Sequence, residues 1–110
     1  MAVRVVTGQQ RTCCTHYHRA VELIGKRWSG AILAVLLDGP LHFSELRRSV
    51  PEISDRLLSE RLKELEAEGL VERRVIDGSP VRTEYSLTRK GAALKPAVRT
   101  IQAWAVTYMR

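Results

Sequence analysis

The chain has 110 residues and a formal net charge of +6, with 18 Lys and Arg against 12 Asp and Glu. This length allows one domain, and an apolar share of 45% excludes wholesale disorder. The longest uninterrupted apolar run, residues 31–37, is far too short for a membrane span, and residues 1–12 hold no apolar core of a signal peptide. We therefore expect a cytoplasmic domain whose surplus positive charge favours an anionic partner, most commonly nucleic acid.

The first part of the chain is predicted to be helical. Residues 1–14 are expected to form a mobile N-terminal arm in front of a single domain over residues 15–110. From about Thr15, apolar side chains recur at helical spacing until Gly25 closes a first helix. Ser29 is the predicted cap of a second helix. Because apolar positions cover most of its circumference, this second helix is expected to be the central buried one.

Two helices joined by a tight connection come next. A short third helix is predicted from about Ser44 to Val50, and Ser54 is a good cap for the fourth. The fourth helix is predicted to run to about Glu68 and to end at Gly69. These lengths match a helix-turn-helix.

The C-terminal part is predicted to form a hairpin and a last helix. Strands are expected over residues 70–75 and 82–87, because a loop rich in turn formers separates them. Thr88 is the predicted cap of a long helix in which Pro96 either causes a kink or marks the true start. The fold class is therefore mainly α with a small β-hairpin wing, a winged helix-turn-helix. The alternative is a small α+β domain whose hairpin only caps the core.

The fourth helix carries a polar face opposite its leucines, and such a face can offer side chains to base edges and phosphates. Arginines on the hairpin would grip the DNA backbone as a wing does, and the third helix could hold flanking phosphates. Glu60 could accept a hydrogen bond from a cytosine amine or could repel phosphates. The alternative is a solvated face with ion pairs such as Arg56–Glu60. The candidate DNA-binding residues are Ser44, Arg47, Arg48, Ser54, Asp55, Arg56, Ser59, Glu60, Lys63, Arg73 and Arg82.

The positive charge is not spread evenly. Residues 54–70 carry three basic and five acidic side chains, whereas residues 71–91 carry five basic and three acidic ones. Residues 1–28 carry five basic and one acidic side chain. We therefore expect the positive charge to grip the DNA backbone while a few polar side chains on an acidic helix choose the sequence.

Several ordered motifs carry a resemblance to a known family. They are LIGKRW at 23–28, LLDGP at 36–40, FSELRR at 43–48, IS at 53–54, LSERLKELE at 58–66, GLVER at 69–73, PVRTEYSLT at 80–88 and KG at 90–91. In this order they resemble the HxlR-type family of bacterial winged helix-turn-helix transcriptional regulators. The resemblance covers nearly the whole chain, from about residue 15 to Trp104.

The resemblance implies a homodimeric cytoplasmic regulator that binds a palindromic operator, with double-stranded DNA as its partner. In the family the first and last helices build the dimer. The corresponding interface candidates are Val21, Ile24, Leu94, Val98, Ile101, Trp104 and Tyr108. A long terminal amphipathic helix also has more apolar surface than a small core can cover, although each of these residues could instead pack within the monomer. Repression is the expected direction, because so small a domain has no evident surface reserved for polymerase.

Two adjacent cysteines precede the first helix. Members of the family often carry a cysteine followed by proline at the start of that helix, and some use the cysteine to sense oxidants or electrophiles. Here the matching positions are Thr15 and His16, and Cys14 lies one residue earlier, so Cys14 is the possible redox residue, with an idle thiol as the alternative. Cys13 and Cys14 with the nearby histidines resemble a metal tract only superficially, because structural zinc sites have wider spacing and a second ligand pair. We predict no metal site and no cofactor.

The sequence leaves two other classes of function as alternatives. A winged-helix module that binds a protein would present its wing to an acidic partner and would not need the polar face of the fourth helix. An enzyme has little support, because no set of nucleophile, base and acid, no phosphate-binding glycine loop and no metal motif occurs in the sequence.

Overall fold

The computed structural model describes residues 11–109. Within them the elements are α1 (Thr15–Ile24), α2 (Ser29–Leu36), β1 (Leu41–His42), α3 (Phe43–Ser49), α4 (Asp55–Ala67), β2 (Val71–Ile76), β3 (Arg82–Leu87), α5 (Arg89–Ala92) and α6 (Lys95–Tyr108). The order of these elements is that of a winged helix-turn-helix, as predicted. The predicted arm over 1–14 falls mostly outside the described residues, and the described part of it, residues 11–14, precedes α1 without helix or strand. No helix within the described residues is long and apolar enough to cross a membrane.

One cluster of buried apolar side chains forms the core. In α2 the buried apolar side chains are Ile32, Leu33 and Leu36, which confirms the central position predicted for this helix. The buried side chains of α4 are Leu58, Leu62 and Leu65, spaced so that they lie on one side of the helix. The remaining core residues come from α3, the two connections around α4, and the hairpin; they are Leu46, Val50, Ile53, Leu70, Val71 and Tyr85.

Both ends of α4 are fixed by local signals that the sequence contains. The hydroxyl oxygen of Ser54 accepts a hydrogen bond from the backbone N–H of Leu57 at 3.1 Å, which caps the helix. At the other end Gly69 has φ +76°, a conformation that favours glycine, and the N–H of Leu70 donates to the carbonyl of Leu65. These two signals set the length of α4 to within about one turn.

The start of α2 differs from the prediction. Trp28, not Ser29, is the N-cap, with φ +77° and no side-chain cap. The N–H of Ser29 donates to the carbonyl of Lys26 at 3.0 Å, so the chain is already turning at Ser29. Ser29 therefore occupies the first helical position and is buried.

The hairpin belongs to a three-stranded antiparallel sheet with the order β1-β3-β2. Leu41 of β1 lies opposite Tyr85 of β3, and Arg73 of β2 lies opposite Tyr85 on the other side. Strand β1 was not predicted, because two residues are too few to show an alternating pattern. Its pairing attaches the start of α3 to the wing.

The predicted last helix is two helices. Thr88 caps the short α5, where its hydroxyl oxygen accepts from the N–H of Gly91. Helix α6 then begins at Lys95 with Pro96 in its first turn, where the missing N–H of proline costs no hydrogen bond. Pro96 thus marks the true start of the long helix, which was one of the two outcomes expected for it.

The close packing of α5 against Leu70, the residue before β2, leaves no room for a side chain at Gly91. An added Cβ at Gly91 would lie 2.2 Å from the carbonyl oxygen of Leu70, so Gly91→Ala should lower the free energy of unfolding by about 1–3 kcal/mol through overpacking. The matched control is Gly78→Ala in the hairpin loop, where the nearest atom would be the carbonyl oxygen of Pro80 at 3.5 Å. Urea unfolding followed by circular dichroism should show a lower midpoint for the Gly91 variant only; equal midpoints for both variants would contradict this packing.

Candidate nucleic-acid interface

A groove between α3 and the wing brings two residues of α3 together with a residue of β3 that is distant in sequence. It has a volume of 640 Å³, and Ser44, Arg48 and Arg82 all line it. All three are exposed and were predicted to contact DNA. The other lining residues, which the sequence did not single out, are His42, Phe43, Glu45, Pro80, Val81 and Thr83. The groove depends on the pairing of β1 with β3, which places the start of α3 beside the wing. No pattern in the sequence predicted that pairing.

A second groove, of 520 Å³, runs along the turn between α3 and α4. Arg47, Arg48 and Ser54 line it together with residues 51–53. The Nε atom of Arg47 lies 2.7 Å from a carboxylate oxygen of Asp55, so an ion pair connects α3 to the first turn of α4. Because both side chains are at least half exposed, the pair adds little stability. It does hold the Arg47 side chain across the turn between α3 and α4, towards Asp55.

The outward face of α4 carries charged side chains as predicted. Arg56, Glu60 and Lys63 are exposed, and Ser59 is half-buried. The Nε atom of Arg56 donates to Glu60 Oε1 at 3.2 Å. The ion pair named in the solvated-face alternative therefore forms, while Lys63 has no salt bridge among the described residues.

The two wing arginines do not share one face of the sheet. Arg73 is opposite Tyr85 in register and Arg82 is opposite Ile76, and because side chains alternate along a strand, the two arginines project from opposite faces. Burial raises the pKa of the Tyr85 hydroxyl above 10.0, and the Arg73 guanidinium beside it partly offsets this effect. Arg82 lines the groove beside α3, whereas Arg73 lies on the face of the sheet that includes the buried Tyr85.

An ion-pair cluster that the sequence did not reveal holds α4 to the connection before α2. Glu64 accepts from Lys26 Nζ at 2.5 Å and from Arg61 Nη1 at 3.1 Å, and Arg61 Nε donates to the carbonyl of Arg27 at 2.9 Å. The Lys26 hydrogen bond, the largest cause, holds the pKa of Glu64 below its usual 4.5. Because the folded-state pKa is depressed, the cluster stabilises the fold above the unfolded-state pKa and loses its effect as the pH falls through the folded-state value.

The predicted dimer residues lie on α1 and α6, except Leu94, which is the N-cap of α6. Neither helix has a buried residue within the described chain. Ile101 and Trp104 are 60% and 54% exposed, and the Trp104 and Tyr108 rings are 5.7 Å apart. Val21 and Tyr108 are also exposed, whereas Ile24, Leu94 and Val98 are half-buried. Three further exposed apolar residues, for which no sequence pattern predicted a role, lie on or next to these helices: Tyr17, Val106 and Met109.

The cysteines are accessible. Cys13 and Cys14 are both exposed and unpaired, and Cys14 is the N-cap of α1 without a side-chain cap hydrogen bond. Among residues 11–109, no three His, Cys, Asp or Glu side chains gather as a metal site would require.

Comparison with known proteins gives consistent matches. A model of the family described as HxlR-like helix-turn-helix matches residues 23–110. The chain is 48% identical over 100 residues to the uncharacterized HTH-type transcriptional regulator YvaP of Bacillus subtilis (strain 168), covering 91% of this chain and 93% of YvaP. The solved reduced form of the transcriptional regulator YodB from B. subtilis superimposes with a TM-score of 0.78 at 45% identity, covering 88% of this chain and 95% of that one. The redox regulator HypR in its reduced form gives a TM-score of 0.80 at 36% identity, covering 84% and 92%.

Proposed function

Because the chain belongs to the HxlR-like helix-turn-helix family, we propose that it binds a palindromic operator in double-stranded DNA as a homodimer and represses transcription in the cytoplasm. The observation that carries this proposal is the grouping of exposed cations on the helix-turn-helix and the wing. Arg48, Lys63 and Arg82 have no carboxylate partner within the described residues. Unpaired cations on three neighbouring elements suit a phosphate backbone.

The docking geometry follows from the elements. The outward face of α4 enters the major groove, where Arg56 can contact guanine bidentately and Ser59 can contact several base edges weakly. Ser44, Arg48 and Arg82, which line the groove beside the wing, contact flanking phosphates. Phosphate contacts of this kind position the protein, and the base contacts of α4 provide the specificity.

The homodimer accounts for the uncovered apolar surface of α1 and α6. A 14-residue helix with no buried residue and with exposed Ile101, Trp104 and Tyr108 is costly to leave in water. On the other side of α6, Arg99 Nη2 donates to Asp38 Oδ1 at 3.0 Å, which attaches the helix to the end of α2. A second copy covers the remaining face, and its two-fold symmetry places the two α4 helices on half-sites about one helical turn apart.

Substitution of single arginines by alanine should distinguish a residue that contacts bases from one that contacts the DNA backbone, because the two losses change the sequence preference differently. Arg56→Ala should weaken binding to the selected operator by about 1–3 kcal/mol and relax the preference at one base position, whereas Arg82→Ala should weaken binding to all sequences alike and flatten the salt dependence. The measurement is a mobility-shift titration with the duplex that the wild type selects from a randomised pool. The matched control, Lys95→Ala, removes the same charge from α6. If neither arginine variant differs from this control, the docking is wrong and the protein-interaction alternative gains support.

The dimer is tested by adding one charge to α6 at two neighbouring positions. Ile101→Glu places a carboxylate in the exposed apolar stripe and should shift the protein towards the monomer in sedimentation equilibrium by at least about tenfold in dissociation constant, because a buried unpaired charge costs several kcal/mol. Gln102→Glu adds the same charge beside Arg99, from which Gln102 accepts a hydrogen bond, and should leave the dimer intact. Equal association of the two variants would overturn the assignment of this face.

Response to oxidants is the second candidate function. It is supported by the accessible Cys14 thiol and by relatives whose solved structures include the diamide-treated and quinone-bound forms of YodB and the oxidised form of HypR. Peroxide would oxidise the thiol to a sulfenic acid and be reduced to water. The Cys14 position at the start of α1, on the proposed dimer face, would then couple this change to DNA binding.

This response predicts a loss of DNA affinity after mild peroxide treatment that a reducing agent reverses. Cys14→Ser should abolish the loss, and Cys13→Ser, which removes the neighbouring exposed thiol, should retain it. The same titration before and after treatment measures both variants. An unchanged affinity in the treated wild type would remove Cys14 from the function.

A further inference from the structure

The outward face of α4 holds one carboxylate between two cations. Glu60 follows Arg56 by one helical turn and precedes Lys63 by nearly one turn, so the three side chains form a single stripe. Side-chain exposure is 89% for Arg56 and 49% for Glu60. In the DNA-bound orientation proposed above, Glu60 would lie at the centre of the surface that enters the groove.

The contact between these side chains leaves the recognition end of Arg56 available. Glu60 Oε1 accepts from Nε of Arg56 at 3.2 Å, and the two terminal nitrogens of Arg56 have no hydrogen-bond partner within the described residues. The terminal edge of a guanidinium can donate to O6 and N7 of guanine. Because Glu60 restricts the arginine rotamers, less side-chain entropy is lost when that contact forms.

The other carboxylates of α4 are committed elsewhere or lie away from this stripe. Glu64 binds Lys26 and Arg61, and Asp55 binds Arg47. Glu66 and Glu68 occur at the C-terminal end of the helix. Glu60 is the carboxylate that lies within the stripe formed by Arg56 and Lys63, so DNA phosphates meet it when the outward face approaches, and their repulsion disfavours every sequence alike.

We propose that Glu60 is the residue that sets the stringency of DNA recognition. It holds Arg56 in position for guanine, and it repels the backbone of duplexes in which Arg56 finds no guanine. Glu60 thus lowers the affinity for all DNA and lowers it least for the operator. This assignment makes Glu60 a positioning residue, and it rests on the proposed DNA binding.

The test compares two substitutions that each raise the net charge by one on the same helix. Glu60→Gln removes the charge from the stripe, and Glu68→Gln removes it at the exposed C-terminal end of α4. The wild type and both full-length variants each select duplexes from a randomised pool, and each is titrated with the unselected pool. Glu60→Gln should bind the unselected pool about fivefold more tightly, and its preference at one position of each half-site should fall about tenfold. Glu68→Gln should select the wild-type motif with unchanged preference.

Glu60→Ala separates the positioning effect from the charge effect, because glutamine retains an oxygen that can accept from Arg56 and alanine does not. The alanine variant should lose at least as much base preference as the glutamine variant. If Glu60→Gln matches Glu68→Gln in both motif and pool affinity, the assignment is overturned. Failure of the wild type to enrich any motif would instead overturn the proposed DNA binding itself, so the two failures are distinguishable.

Discussion

Burial of the leucine stripe of α4 is the constraint on which the interface depends. Leu58, Leu62 and Leu65 are each at most 1% exposed and belong to the same core cluster as the buried residues of α2. Since helical side chains repeat about every 3.6 residues, burial of this stripe fixes the rotation of α4 about its axis. Arg56, Glu60 and Lys63 therefore have to face outward, and a rotation of one residue would bury a charge at a cost of several kcal/mol. The core determines which side chains α4 can present to a partner.

Polar contacts at the two ends and in the middle of α4 fix the position of this helix along its axis and its tilt. The Ser54 cap and the glycine at position 69 set where α4 begins and ends, and the contacts of Glu64 and Arg61 with the connection before α2 hold its middle. None of these contacts is strong alone, because each is at least partly exposed to water. Together with the leucine packing they restrict sliding and tilting, which base contacts require, since a displacement of about 1 Å is enough to lose a bidentate hydrogen bond.

Local signals made α4 and its turn predictable from sequence. The wheel positions of the leucines, the serine cap and the terminal glycine each depend on neighbours within a few residues, so they could be recognised without knowing the fold. The start of α2 was placed wrongly because a left-handed Trp28 has no side-chain signature. The groove that joins Ser44, Arg48 and Arg82 could not be derived either, because it depends on pairing between β1 and β3, more than 40 residues apart in the chain. The predicted interface residues were thus individually visible in sequence, while their grouping required the tertiary structure.

The positions of the paired and unpaired charges explain how an acidic α4 segment fits a DNA-binding role. Residues 54–70 carry more acidic than basic side chains, yet three of these carboxylates, Asp55, Glu60 and Glu64, are paired with neighbouring cations. The unpaired cations Arg48 and Arg82 lie together beside the wing, where non-specific attraction to phosphate would be strongest. On the outward face of α4, Glu60 offsets the charge of Arg56 and leaves only Lys63 unpaired among the described residues. This face therefore adds less to that attraction than the wing groove does, and its contribution to binding depends mainly on the bases it meets. Because most of the attraction comes from other elements, substitutions on the outward face of α4 can change the ratio of specific to non-specific affinity without altering the phosphate contacts of α3 and the wing.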